Sequence, residues 1–269
     1  MLRPLRVINL TSSLTRYLAG LSLQESVVEE RKKGLIGDTL ILLQHYPVYT
    51  LGKRGKPSDF RTSQKDLEAT GAEICSVSRG GEVTFHGPGQ LVAYPIVGVR
   101  QAGLGARAYV ESLEDSIIDC LANYGIAARG RVPGATGVWV GERKIAAIGV
   151  RISHGVSSHG LALNIDTDLS YFQHIVPCGI PDKEVTSVRL ELRELQGLKG
   201  QSLPPPGAVG GGAVGGGAGA GAALQGEAAG AGGRGAALGG ATGADPDFAR
   251  VVEDFTSSFR ARLGFAAGY

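Results

Sequence analysis

The chain has 269 residues, 43% of them hydrophobic and 19% charged, which is enough to build a full core as one domain or at most two. A formal net charge of +2, with no Lys/Arg run and few interleaved aromatics, gives no footing for a nucleic-acid role, though local basic patches could dock acidic proteins. Cys75, Cys120 and Cys178 are odd in number and far apart, which argues against a disulfide framework and for a reducing compartment. No apolar run has the length needed to span a bilayer, so a soluble intracellular protein is expected.

From Met1 to Gln24 there is no acidic residue, while Arg3, Arg6, Arg16 and several Ser and Thr are present. That composition is the one of an organellar targeting segment. The same residues also read as structure, with Leu5 to Leu10 as a first strand. Thr11 or Ser12 then caps a helix carrying Leu14, Tyr17, Leu18, Leu21 and Val28, with Gly34 as its stop. Asp38 to Gln44 reads as a largely buried strand, after which Pro47 breaks regular pairing and Gly52 opens a loop containing Lys53, Arg54 and Lys56. A short helix over Lys65 to Thr70 and a strand over Ala72 to Ser78 follow.

Arg79-Gly-Gly-Glu-Val-Thr-Phe-His86-Gly-Pro-Gly-Gln90 is the densest run of special residues in the chain. Its glycines permit backbone shapes closed to other residues and let a ligand approach the main chain. Val83, Thr84 and Phe85 form a strand-like piece between them. An isolated Gly-Gly is usually a hairpin, but this density points to a binding wall. Leu91 to Val97 is the next strand, and Ala106 to Tyr124 a helix with Val110, Leu113, Ile117, Leu121 and Tyr124 on one stripe. Cys120 on that helix and Cys75 in its strand read as small buried apolar side chains.

Thr136 to Val140, Glu142 to Arg151 and Gly160 to Ile165 are short strands separated by glycine turns, with His154 and His159 on a loop over Ser153 to His159. From Leu203 the composition turns to Pro-Pro-Pro and Gly/Ala repeats, which cannot repay their ordering entropy. The expected organisation is one main domain over 1–203, a flexible insertion over 204–244, and a C-terminal segment, 245–269, packing on the same domain. In that segment Asp245-Pro246 restart a helix with Phe248, Val251, Val252, Phe255, Phe259 and Leu263 on one stripe and Gly264 at its end.

Cys178 differs from the other cysteines because Pro177, Gly179 and Pro181 surround it with residues that break helix and strand. On such a bend a thiol can meet a substrate and nearby backbone N–H donors, and both nucleophile and inert loop thiol remain open. Lys144, just before the apolar run Ile145 to Ile148, is a candidate activator if desolvated, although most such lysines are solvated strand ends. His86 is a second possible base or orienter. A mixed-ligand metal site from His154, His159, His174 and Cys178 has no diagnostic spacing and is a minor alternative.

Four motifs occur in order: Arg79 to Gln90, Lys144-Ile-Ala-Ala-Ile-Gly149, Ser158-His-Gly-Leu-Ala-Leu-Asn164, and Pro177-Cys-Gly-Ile180 with Val185-Thr-Ser187. Together with His45 to Gly52, they resemble the lipoyl(octanoyl) transferases of the LipB type, over roughly Leu5 to Leu192. The sequence looks closest to plant-type mitochondrial members, which implies an organellar location, the mitochondrion first, with plastid and cytoplasm left open. The resemblance implies an α/β (α+β) fold of mixed sheets with flanking helices, as in biotin and lipoate ligases.

It further implies octanoyl transfer from octanoyl-acyl carrier protein to a lysine of lipoyl domains, those of glycine-cleavage H protein and 2-oxoacid dehydrogenase subunits. No cofactor or metal is implied. Carried onto this chain, Cys178 is the acyl-thioester nucleophile and Lys144 the group that lowers its pKa. Arg79, Gly80, Gly81, Glu82, Val83, Thr84, Phe85 and His86, with Ala147, Ile148, Gly149, Gly160, Leu161 and Ala162, would line the acyl site. The rival readings are an ATP-dependent lipoate or biotin ligase, a metal-dependent hydrolase, and a lipoyl-domain binder without catalysis.

Overall fold

The computed structural model describes residues 2–176, 183–197 and 247–267. Cys178, the Gly/Ala-rich stretch and the Asp245-Pro246 restart all lie outside the described residues. In chain order the elements are β1 (Arg6–Thr15), α1 (Tyr17–Lys32), β2 (Thr39–His45), β3 (Val48–Leu51), α2 (Gln64–Ala69), β4 (Glu73–Ser76), β5 (Val83–His86) and β6 (Gln90–Ile96). Then come α3 (Ala106–Ala122), β7 (Val138–Val140), β8 (Arg143–Ser153), β9 (Val156–Asn164), β10 (Glu184–Val185), α4 (Val188–Leu195) and α5 (Phe248–Leu263).

Seven of these strands form one mixed sheet in the order β1-β2-β6-β9-β8-β10, with β7 paired to β8, and β4-β3-β5 form a small second sheet. β1–β2 and β8–β10 are parallel, while the pairs between β2, β6, β9, β8 and β7 are antiparallel. Period-two alternation explains why β2 and β6 read as continuous apolar runs. Leu40, Leu42, Leu91 and Ala93 enter the larger core with α3 and α5, and Ile41, Leu43, Val92 and Tyr94 enter a second core under α1. The stripe Val251, Val252, Phe255, Phe259 and Leu263 of α5 is buried in that larger core. The fold class expected from the sequence, mixed sheets with flanking helices, is the one found.

The N-terminal expectation is corrected. β1 runs on to Thr15, shifting register between Asn9 and Leu14 before pairing resumes at Leu14↔Gln44 and Thr15↔His45. Thr11 and Ser12 therefore cap nothing, since Gln44 Nε2 donates to the Thr11 carbonyl at 2.8 Å and ties this stretch to β2. α1 starts at Tyr17 with no side-chain cap, and it buries Tyr17, Gly20, Gln24, Val27 and Val28 while Leu18 stays 64% exposed.

The loop expected over Ser153 to His159 is also corrected. His154 and Gly155, with φ of 54° and 79°, are the whole turn between β8 and β9, and Ser153 pairs with Val156. Positive φ at both central residues matches the right-handed twist of the flanking strands. At the C-terminal helix the cap is Asp247, whose carboxylate accepts from Ala249 N at 3.0 Å, and Gly264 ends the helix with φ of 70°.

Candidate active site

A cavity of about 250 Å³ lies between the Arg79–His86 segment and strands β8 and β9, with Tyr17 of α1 at its wall. This falls just below the roughly 300–1,000 Å³ of pockets for drug-sized ligands. The structure brings Arg79, Gly80, Gly81, Glu82, Val83, Thr84 and His86 to one side, and Ala147, Ile148, Gly149, Gly160, Leu161 and Ala162 to the other. Phe85 does not line it. Phe85 stacks on Tyr171, ring centroids 4.3 Å apart, inside the third apolar cluster with Tyr49 and Phe172. That correction follows from alternation along β5, which sends Thr84 and His86 one way and Phe85 the other.

Glycines let the two walls meet. A Cβ on Gly149 would sit 2.9 Å from the Gly80 carbonyl oxygen, and Gly80 N donates to Val150 O at 3.4 Å. Only bare backbone permits that approach. Arg79 braces the same wall: Nη2 donates to the Thr50 carbonyl at 2.6 Å and to Thr50 Oγ1 at 2.7 Å, and Nη1 donates to Gly80 O at 3.0 Å.

His86 is 8% exposed, and both of its ring nitrogens are engaged. Gln90 Nε2 donates to Phe85 O at 3.1 Å and Asn164 Oδ1 at 2.9 Å, so Gln90 Oε1 is the acceptor facing His86 Nδ1 at 2.8 Å. Nδ1 therefore carries the proton, and Nε2 accepts from Thr50 Oγ1 at 3.3 Å. Burial first, then the His45 and Arg79 charges, pushes His86 down to about 3. Burial likewise takes His45 and His159 down to about 4. All three rings are neutral at pH 7, and His86 shapes the site.

The reading of Lys144 as a solvated strand end does not fit its placement. It is 5% exposed and lines the cavity. The cause is a β-bulge: Val138 pairs with Ala146 but Trp139 pairs with Lys144, leaving Ile145 as the extra residue. A bulge reverses the alternation beyond it, so Lys144 and Ala147, three positions apart, line the same cavity. Lys144 Nζ donates to the Thr136 carbonyl at 3.1 Å and lies 4.8 Å from the Trp139 ring centroid. On its other side β10 pairs Val185 with Lys144, and Thr186 N donates to Lys144 O at 2.9 Å. Asn164 Nδ2 holds the Thr186 carbonyl at 3.0 Å, which links this strand to Gln90 and His86.

Burial pushes the Cys120 thiol up to about 12 and raises that of the half-buried Cys75, which disfavours the thiolate at both. Cys178 lies outside the described residues, between Val176, whose N donates to Asp59 O at 2.7 Å, and β10. Among the described residues no three His, Cys, Asp or Glu side chains are grouped to hold a metal. His154 is exposed on the β8–β9 turn, whereas His159 is buried within β9. Composition gave no hint that Tyr17, Tyr94, Thr136 and Trp139 stand around the site; the first three line the cavity.

A lysine and a neutral histidine face this small, glycine-walled cavity. Comparison with known proteins gives the family. Residues 16–199 match the family model of the lipoyl protein ligase A/B catalytic domain. A mitochondrial octanoyltransferase of Arabidopsis thaliana is 57% identical over 175 residues, covering 65% of this chain and 74% of the relative. An octanoyltransferase of Chloroflexus aurantiacus is 50% identical over 185 residues, covering 68% and 82%. A solved putative lipoate protein ligase from T. acidophilum with bound lipoic acid shares the fold, with a TM-score of 0.55 at 15% identity over 70% of this chain and 77% of that one.

The chain belongs to the octanoyltransferases of the lipoyl protein ligase A/B catalytic family. It is an acyltransferase of lipoate biosynthesis.

Proposed function

We propose that the protein takes an octanoyl group from octanoyl-acyl carrier protein onto Cys178 and passes it to a specific lysine of a lipoyl domain. The observation that carries this reading is the buried Lys144 side chain in the glycine-walled cavity, joined through Val185 to the strand that begins six residues after Cys178.

The Cys178 thiolate attacks the donor thioester carbonyl. The bond to the carrier sulfur breaks, and Lys144 protonates that departing thiolate. The acceptor's neutral amine then attacks the Cys178 thioester, Lys144 takes the amine proton, and Cys178 leaves as thiolate beside a restored ammonium. The acyl chain lies between Gly80-Gly81 and the Ala147–Gly149 and Gly160–Ala162 stretches. Neither step consumes a nucleotide.

Residues 1–203 form the catalytic domain in this reading, 204–244 an insertion, and 245–269 a segment that completes the same domain. The mitochondrial relative supports a mitochondrial location. The test is transfer of octanoate from octanoyl-acyl carrier protein to a purified lipoyl domain. Cys178→Ser should abolish transfer and Lys144→Ala should slow it at least a hundredfold. Transfer by Cys178→Ser at the parent rate contradicts the thioester route.

A further inference from the structure

Trp139 is the single tryptophan of the chain and 3% exposed, yet it belongs to none of the three apolar clusters. Its polar atoms are all committed. Nε1 donates to Ala135 O at 2.9 Å, and its backbone N and O exchange hydrogen bonds of 2.8 Å with Arg129. The ring is thereby fixed, with Lys144 Nζ 4.8 Å from its centroid.

The segment before it completes the enclosure. Gly137 has φ of 131°, and a Cβ there would lie 2.5 Å from Ala146 O and 3.4 Å from Lys144 Cε. Glycine is therefore needed to bring the Thr136 carbonyl round to Lys144 Nζ. An ammonium has three donors, and among the described residues Thr136 O is the hydrogen-bond partner of one. The ring presents its electron-rich face without accepting a conventional hydrogen bond. The ring face and the Thr136 carbonyl are both partners suited to a cation, and donor capacity remains for a reacting sulfur.

We propose that Trp139, together with the Thr136 carbonyl, is a positioning residue that holds Lys144 as an ammonium ready for proton exchange with the reacting thiolate. The inference rests on the role given to Lys144 above. An apolar side chain of similar bulk would fill the space but would not favour the cation.

Because Trp139 is the single tryptophan, fluorinated tryptophans incorporated into the full chain alter only this ring, weakening its face with little change in shape. Acyl loading from octanoyl-acyl carrier protein is followed by intact mass across pH 6 to 10. The expected result is a stepwise loss of loading rate with added fluorine, reaching about tenfold, and a basic limb that moves stepwise to lower pH. Trp139→Leu should lose at least as much, with thermal denaturation reporting its folding separately.

A fluorinated series with parent rates and an unmoved basic limb overturns the proposal, whatever Trp139→Leu does. Lys144→Ala separates the two levels. If that variant loads at the parent rate, the role of Lys144 itself fails. If it is severely slowed while the fluorinated series is flat, only the role of Trp139 fails.

Discussion

Ala147 and Ala162 face each other across the β8–β9 pair on the wall of the cavity. Ala162 is 4% exposed, but Ala147 is only half-buried, so a larger side chain at 147 can extend into the open volume rather than into packed core. Ala147→Leu adds three carbons to a cavity of about 250 Å³ and takes room from about three methylenes of a bound acyl chain. At about 0.8 kcal/mol per buried methylene, the loss is about 2.4 kcal/mol, or about fiftyfold in kcat/KM for octanoyl donor. A butanoyl donor, which does not reach that far, should lose little. The assay compares kcat/KM for octanoyl- and butanoyl-acyl carrier protein in parent and variant, with the thermal midpoint as a check on folding. A folded variant whose octanoyl-to-butanoyl ratio stays within threefold of the parent would refute the placement of the acyl chain along β8 and β9.

Gly149→Ala should slow acyl loading about tenfold, because its Cβ would lie 2.9 Å from the Gly80 carbonyl and push the walls apart; a parent-like rate would show that this contact is slack. Phe255→Ala should cost about 3–5 kcal/mol in urea unfolding, since Phe255 is fully buried in the larger core under the sheet. His45, His86 and His159 sit at about 4, 3 and 4 when folded, below the value of about 6.5 for a free imidazole. The unfolded chain thus binds more protons, so their stabilisation is complete above pH 6.5 and is lost as pH falls towards 4, at up to ~1.4 kcal/mol per pH unit for each ring. Unfolding free energy measured from pH 7 to 4.5 should show this slope, and His45→Gln should flatten it. Deleting Gly207 to Gly243 should leave transfer within a fewfold of the parent; loss of folding would contradict its reading as an insertion.

Much of this was legible in the sequence where one local signal dominates. The continuous apolar runs of β2 and β6 mean burial on both faces, and the α5 stripe with Gly264 is a complete helix signature. The glycine wall was legible through its density of special residues. What escaped was set by pairing between distant segments. Thr11 to Thr15 reads as a helix entry because Ser and Thr cap helices, but pairing with β2 draws it into a strand. Phe85 points away from its neighbours Thr84 and His86 by alternation, which the motif's continuity hid. The burial of Lys144 depends on one extra residue, Ile145, opposite Val138 and Trp139, and no composition signals a bulge. His154-Gly155 does carry a turn signal, but a non-glycine residue at positive φ, as at His154, has only weak sequence marks.

In the proposed route Cys178 carries the acyl group. The direct measurement is intact mass of the full chain mixed with octanoyl-acyl carrier protein in the absence of an acceptor, followed by peptide mapping. The expected result is a single octanoyl adduct on Cys178 that forms without ATP, is released by hydroxylamine, and disappears when a lipoyl domain is added. An adduct on another residue, or octanoylation of the lipoyl domain from free octanoate and ATP with no enzyme adduct, would contradict it.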